Sequence, residues 1–215
     1  MYQKKVNGVC IIMNDLEFIL NFEENKINGI WLSGVEGEGE FVQYWENGNL
    51  REHSLWKNDE LHGERKYYHE NGQLEAHSFY ENGKKHGEYK DYHKNGNLRV
   101  HSFWKNGKLH GECKIYYENG QLWEHSFWKN GKKHGDYKEY YLDGQLWVHS
   151  FWKNGELHGE CKIYNGIGQL WSHSFYENGE MHGESKLYYE NGNLREHSFY
   201  ENGIKIKNLL EQNNE

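Results

Sequence analysis

The chain has 215 residues, with 25 glycines, no proline and 16% aromatic residues. That is too aromatic for simple disorder and too glycine-rich for a helical bundle, where each interior glycine costs about 1 kcal/mol against alanine. A formal charge of −8 with histidine neutral argues against a nucleic-acid binder, and no apolar run approaches the roughly 18 residues of a membrane span.

The first segment, MYQKKVNGVCIIMND, has an apolar core of only Val9–Ile12, too short for the centre of a secretory leader. The chain is therefore expected to be neither secreted nor transmembrane. Leu16, Phe18, Leu20 and Phe22 alternate with other residues, which predicts a half-buried strand. Gly29-Ile30-Trp31-Leu32-Ser33-Gly34 resembles half of the repeat described next, with one extra residue before Gly39. Residues 1–38 are read as a divergent N-terminal cap, since terminal repeats are usually atypical.

From Gly39 onward a 24-residue period governs the chain. His-Gly recurs at His62, His86, His110, His134, His158 and His182, and His-Ser at His53, His77, His101, His125, His149, His173 and His197. The two remaining histidines, His69 and His93, are also 24 residues apart. Glycines recur on the same beat in three sets, represented by Gly111, Gly120 and Gly131. Seven units span residues 39–206, followed by a polar tail at 207–215. In the unit Gly111–His134, Glu112–Tyr117 and Gln121–Trp128 read as two strands. They are separated by Glu118-Asn119-Gly120 and closed by Lys129-Asn130-Gly131. Asn-Gly between such runs predicts type I′ hairpins, which need φ > 0 at both central residues. The fold class is therefore all-β, an elongated antiparallel meander with one hairpin per unit. Equivalent residues of successive units should lie roughly 9.5 Å apart, two strand spacings. Proline suits neither a ladder that needs its N–H nor a turn that needs φ > 0.

The run FWKNGKLHGECKIYYENGQL, Phe103 to Leu122, resembles the MORN repeat in its variant form. Similar histidine-rich arrays occur in giant DNA viruses, and related ones in bacterial proteins described as antitoxin components. The match covers Gly39 to Gly203. It departs at Asp59 for glycine, at Asp143-Gly144 for Asn-Gly, and at Asn165-Gly166-Ile167-Gly168 for Tyr-Glu-Asn-Gly. The last departure is expected to loosen one hairpin tip. The resemblance implies a non-enzymatic scaffold for protein–protein interaction, in the cytoplasm of an infected host cell if the viral likeness holds. Two further readings stand beside it: peripheral association with anionic phospholipid, and antitoxin-like binding of a partner.

The spacing also limits the chemistry. Cys113 and Cys161 are two units apart, so about 19 Å separates them, against a limit of roughly 7 Å for a disulfide. With Cys10 the total is three, and no disulfide framework is expected, which favours a reducing, intracellular compartment. Histidines of one ladder are too far apart to share a metal, so they read as packing and hydrogen-bonding elements, and no metal or cofactor is expected. His125 and Ser126 are neighbours in a strand and point to opposite faces. No catalytic residue is therefore assigned.

Two surfaces remain. Lys84, Lys85, Lys108, Lys129, Lys132 and Lys133 gather along one turn edge as candidate contacts for an anionic surface, with Glu88, Glu112 and Asp136 partly offsetting them. The opposite edge carries Glu46, Glu70, Glu118, Asp143 and Glu190. The position after the constant leucine holds Arg51, Glu75, Arg99, Trp123, Trp147, Trp171 and Arg195. A site that accepts charge faces water, so Trp123, Trp147 and Trp171 should form an exposed strip. By alternation they share a face with His125, His149 and His173, and these six are the candidate partner-binding residues.

Protonating all 15 histidines would move the formal charge from −8 to +7, and an unperturbed histidine titrates near pH 6.5. Electrophoretic mobility should reverse sign in mildly acidic buffer; a chain still migrating as an anion at about pH 5 would contradict this.

Overall fold

The computed structural model describes residues 2–6, 9–13, 29–33 and 37–210. Among them there is no helix, and so none long and apolar enough to cross a membrane. Tyr2–Val6 (β1) and Val9–Met13 (β2) pair antiparallel as a sheet of their own. The strand expected around Leu16–Phe22 lies outside the described residues.

The chain divides into two compact units, Met1–Lys108 and Leu109–Glu215. The repeats of the first form an antiparallel meander in chain order. Its strands are Ile30–Ser33 (β3), Gly39–Tyr44 (β4), Leu50–Lys57 (β5), Glu60–Tyr68 (β6), Leu74–Glu81 (β7), Lys84–Tyr92 (β8) and Leu98–Lys105 (β9). The second unit continues the pattern with Lys108–Tyr116 (β10), Leu122–Lys129 (β11), Lys132–Tyr140 (β12), Leu146–Lys153 (β13) and Glu156–Tyr164 (β14). It ends with Leu170–Glu177 (β15), Glu180–Tyr188 (β16), Leu194–Glu201 (β17) and Ile204–Asn208 (β18). β3, read from sequence as part of the cap, pairs with β4. Lys207 and Asn208, read as tail, extend β18 along β17, with Asn208 opposite Ser198.

The two turn edges use the same dipeptide differently. At Lys129-Asn130-Gly131-Lys132 both central residues have positive φ, 53° and 80°, and Lys129 pairs with Lys132. This is the expected type I′ turn. Asp59 adopts φ 61° in the equivalent place, where its short polar side chain tolerates the left-handed region.

The other edge is not type I′. Tyr117 to Gln121 form a five-residue loop in which Gly120 N–H donates to the Tyr117 carbonyl at 2.9 Å. Only the glycine has positive φ there, 86°, as in a type I turn followed by a left-handed residue. Asn119 serves as acceptor instead, its Oδ1 taking the Gln121 N–H at 3.0 Å. Asp143 does the same for Gln145 at 3.0 Å. The Asn165 turn, expected to be loose, keeps its bonds: Gly168 N–H to Asn165 O and Asn165 N–H to Gln169 O, both 2.9 Å. What that hairpin lacks is a tyrosine, whose hydroxyl elsewhere reaches the next hairpin, as Tyr141 reaches the Tyr164 carbonyl at 2.9 Å.

Each hairpin also bulges after its His-Gly. Ser126 opposes Tyr137 and Trp128 opposes Lys133, so His134-Gly135-Asp136 stand against the single Phe127. Gly135 makes this turn with φ 103°, a conformation that L side chains adopt only under strain.

Within each unit the sheet is one layer, and its two faces differ. On one, serines are the most buried residues: Ser54, Ser102, Ser126, Ser150 and Ser198 are at most 1% exposed. Trp128 Nε1 donates to Ser126 Oγ at 2.9 Å, and Trp152 to Ser150 at 3.0 Å. Between those two serines lies Tyr137, one of three buried hydrophobic residues among those described, with Val42 and Cys113. On the opposite face each unit repeats a polar row. Glu112 accepts from Lys114 and meets His125 Nε2, both at 2.8 Å, and Asp136 holds Lys138 and His149 in the same way. Phe127 packs against His125 with ring centroids 5.1 Å apart.

The lysine hydrogen bond is the main cause that holds Glu64, Glu88, Glu112, Glu160 and Glu184 below the usual carboxylate range. A carboxyl depressed by folding contributes stability above its unfolded pKa and loses it as pH falls through the lower folded value. The urea midpoint should therefore drop between about pH 5 and pH 3, and Glu112→Gln should reduce that drop. Gly135→Ala should cost about 1–3 kcal/mol, while Gly107→Asp, which copies Asp59, should cost less than about 1 kcal/mol in the same urea series.

Candidate interaction surface

A second bulge sits beside the Glu-Asn-Gly tip. Leu122 opposes Tyr116 and Glu124 opposes Ile115. Leu122 and Glu124 are two residues apart yet share faces with adjacent residues of β10, so they project to opposite sides. Trp123 lies between them, and the contacts of its equivalents show which side it takes. Arg51 Nε donates to the Tyr67 hydroxyl at 2.7 Å, and Arg99 makes a two-pronged pair with Asp91. Tyr67 and Asp91 lie in register with the serine face, two residues from the partners of Ser54 and Ser102.

The tryptophans therefore stand on the serine face, and His125, His149 and His173 on the other, paired with Glu112, Asp136 and Glu160. The expectation that all six share a face is corrected by this bulge, since strict alternation fails where two residues oppose one. Leu122, which strict alternation would put on the side of Ser126, lies on the opposite face for the same reason.

Trp123, Trp147 and Trp171 are 41%, 40% and 47% exposed. Two of them lean on the tyrosine of their own hairpin: Tyr117 and Trp123 have ring centroids 5.8 Å apart, as do Tyr141 and Trp147. Where the aromatic position carries arginine, the pair becomes cation on ring. The Arg51 guanidinium is 4.5 Å from the centroid of Trp45, and that of Arg195 is 5.8 Å from Tyr189. In the remaining tryptophan hairpin Asn165 replaces the tyrosine. Its Oδ1 turns back to accept the N–H groups of Ile167 at 3.2 Å and Gln169 at 2.9 Å. Trp171 thus has no ring from its own hairpin beside it. An open depression of about 550 Å³ results, lined by Tyr141, Trp147, Ile163, Trp171 and Glu190 among others.

The lysine edge is thinner than the sequence suggests. Lys84, Lys108, Lys129 and Lys132 are exposed. Lys85 and Lys133 fold over rings of the serine face, with Nζ 4.0 Å from the Tyr89 centroid and 3.8 Å from that of Tyr137. Burial lowers the pKa of Lys85. Nor do Glu88, Glu112 and Asp136 offset this edge; they bind Lys90, Lys114 and Lys138 within the strands. Sequence reasoning missed these sequestered lysines, although their place two residues before each His-Gly-Asp/Glu glycine, among rings, was the available signal.

Burial pushes the Cys113 thiol up to about 11, away from the thiolate a nucleophile needs. Among the described residues no three His, Cys, Asp or Glu side chains gather as metal ligands would.

No curated protein matches the chain. The family model described as MORN repeat variant matches residues 37–58, 61–82, 85–108, 109–130, 133–154 and 181–203. The MORN repeat model matches 126–135 and 150–169. The variant model thus skips the hairpin that carries Asn165 and covers well over half of the chain. A 24-residue hairpin period, glycines of positive φ at both turn edges and these matches place the chain in the MORN-repeat family.

Proposed function

We propose that this protein is a non-enzymatic scaffold that presents the serine face of its second unit to a protein partner. MORN repeats commonly serve as protein- or membrane-interaction modules. The observation that carries the protein reading is the strip formed by Trp123, Trp147 and Trp171. Exposed tryptophans in line are costly to leave in water and are enriched among binding hot spots. They also occur where other units of the same chain carry arginine or glutamate, so the fold does not require them.

The lysine edge supports a lipid reading less well. Its exposed lysines gather at Lys84, Lys105 and Lys108 in the first unit and at Lys129, Lys132 and Lys153 in the second, with Glu60 and Glu81 beside the former and Glu156, Glu177 and Glu180 beside the latter. Each Lys–Glu neighbour lowers the attraction to an anionic bilayer, worth about 1 kcal/mol per basic residue near the surface.

The triple variant Trp123→Arg, Trp147→Arg, Trp171→Arg repeats a residue already present at positions 51, 99 and 195, so it should fold with an unchanged circular dichroism spectrum. Partner capture from the native host should be lost in this variant and kept in Lys129→Glu, Lys132→Glu. Equal capture by the triple variant would remove the tryptophan strip from the interface. Co-sedimentation with phosphatidylserine vesicles that depends on Lys129 and Lys132 would favour the lipid reading instead.

A further inference from the structure

Resting on the interaction-surface reading, we infer that the depression between Trp147 and Trp171 receives the guanidinium of an arginine from a basic segment of the partner. The depression has flat walls, Tyr141, Trp147 and Trp171, and one carboxylate, Glu190, among its lining residues. Rings attract a cation over their faces, and a carboxylate within reach adds a charged acceptor. A guanidinium suits this combination better than an ammonium, because it stacks flat and donates two parallel hydrogen bonds to one carboxylate.

The chain supplies the same chemistry from within at equivalent positions. Arg51 lies over Trp45 while donating to Tyr67, and Arg99 grips Asp91. A second depression, of about 500 Å³, adjoins the first and shares Trp171 and Glu190 with it. That one is lined by the chain's own Arg195, whose guanidinium stands over Tyr189. The depression at Trp147 likewise sets rings beside that carboxylate, with no arginine or lysine among its lining residues. It exists because Asn165 spends its side chain on its own turn, where Tyr117 and Tyr141 in neighbouring hairpins cover the adjacent tryptophan.

Charge agrees with this occupant. The turn edge beside the strip carries Glu118, Asp143 and Glu190, and the whole chain is at −8. A basic segment is drawn to that edge before any ring contact forms. Several arginines spaced along the segment would meet successive tips, with the Asn165 hairpin as the one that admits a side chain.

The inference is tested by titrating the full chain with acetyl-Arg-Gly-Arg-Gly-Arg-amide and following tryptophan fluorescence at about 0.15 M salt, where long-range attraction is screened. The control peptide carries citrulline, a neutral analogue of the same shape, at each arginine. A saturable response is expected, about tenfold weaker with citrulline and with Glu190→Gln. Asn165→Tyr should abolish it, since a tyrosine there covers Trp171 as Tyr141 covers Trp147. This variant copies the neighbouring hairpins and so keeps the fold, which separates loss of the site from loss of structure. Equal affinity for the citrulline peptide, no saturable response, or unchanged binding by Asn165→Tyr would each overturn the guanidinium assignment. If partner capture still depends on the three tryptophans in that event, the interaction surface stands and only its arginine chemistry falls.

Discussion

A sheet of one layer has no second layer against which to bury its side chains, and most of this structure follows from that constraint. Hydrophobic residues that would form a core elsewhere have only their own sheet to lie on. The solution in each hairpin is a serine at the centre of one face, small enough for a neighbouring tryptophan or tyrosine to fold over it. Ser126 is fully buried and accepts the Trp128 indole N–H. In the middle of the second unit the intervening strand places a larger residue between serines, as Tyr137 lies between Ser126 and Ser150. Towards its end Ser185 takes that place and shares a 2.9 Å hydrogen bond with Ser174. Lys133 completes the arrangement by laying its stem and charge over Tyr137 and Trp152, a cation–ring contact that also keeps the amine from solvent. On the opposite face the polar residues satisfy one another, as Glu112 does with Lys114 and His125, and Phe127 lies against the His125 ring.

The same constraint explains why glycine, not proline, punctuates the chain. Sheets of many strands are twisted, and bulges supply local bend and twist. Gly135 and its equivalents open one bulge per hairpin at the His-Gly step, where three residues face one. Much of this was legible: the period, the strand pairs, the all-β class and the type I′ turn at Asn130-Gly131 follow from sequence pattern alone. The turn at Asn119-Gly120 did not, because the dipeptide is compatible with both turn types. Loop length decides between them, and the sequence pattern left it ambiguous by one residue on each side, Tyr117 and Gln121.

The bulge at Trp123 had a larger effect on the functional reading. Alternation is a reliable guide to faces only while the register is unbroken, and one extra residue transfers everything beyond it to the other side. The tryptophans and histidines look adjacent in sequence, yet they serve opposite faces. The histidines are committed to carboxylates in every unit, whether or not a tryptophan is nearby, which marks them as part of the repeat's construction. His77 pairs with Glu64 in a hairpin whose aromatic position holds Glu75. The tryptophans follow no such rule.

Function in a repeat protein is most readable where the repeat is broken, because unbroken positions answer to folding in every copy. Position 123 and its equivalents vary among arginine, glutamate and tryptophan, while the residue paired with each across the hairpin varies in step. Trp45 meets Arg51, His69 meets Glu75, Tyr117 meets Trp123 and Tyr189 meets Arg195. Each of these combinations makes a contact of its own: cation on ring, histidine with carboxylate, or ring on ring. Asn165 makes no such contact with Trp171, since the amide serves its own turn and leaves the most exposed of the three tryptophans beside an open depression. Folding gains nothing from that mismatch. A tyrosine at 165 would give the hairpin the ring contact its neighbours have, so the unmatched pair is where a partner's side chain can supply what the repeat withholds.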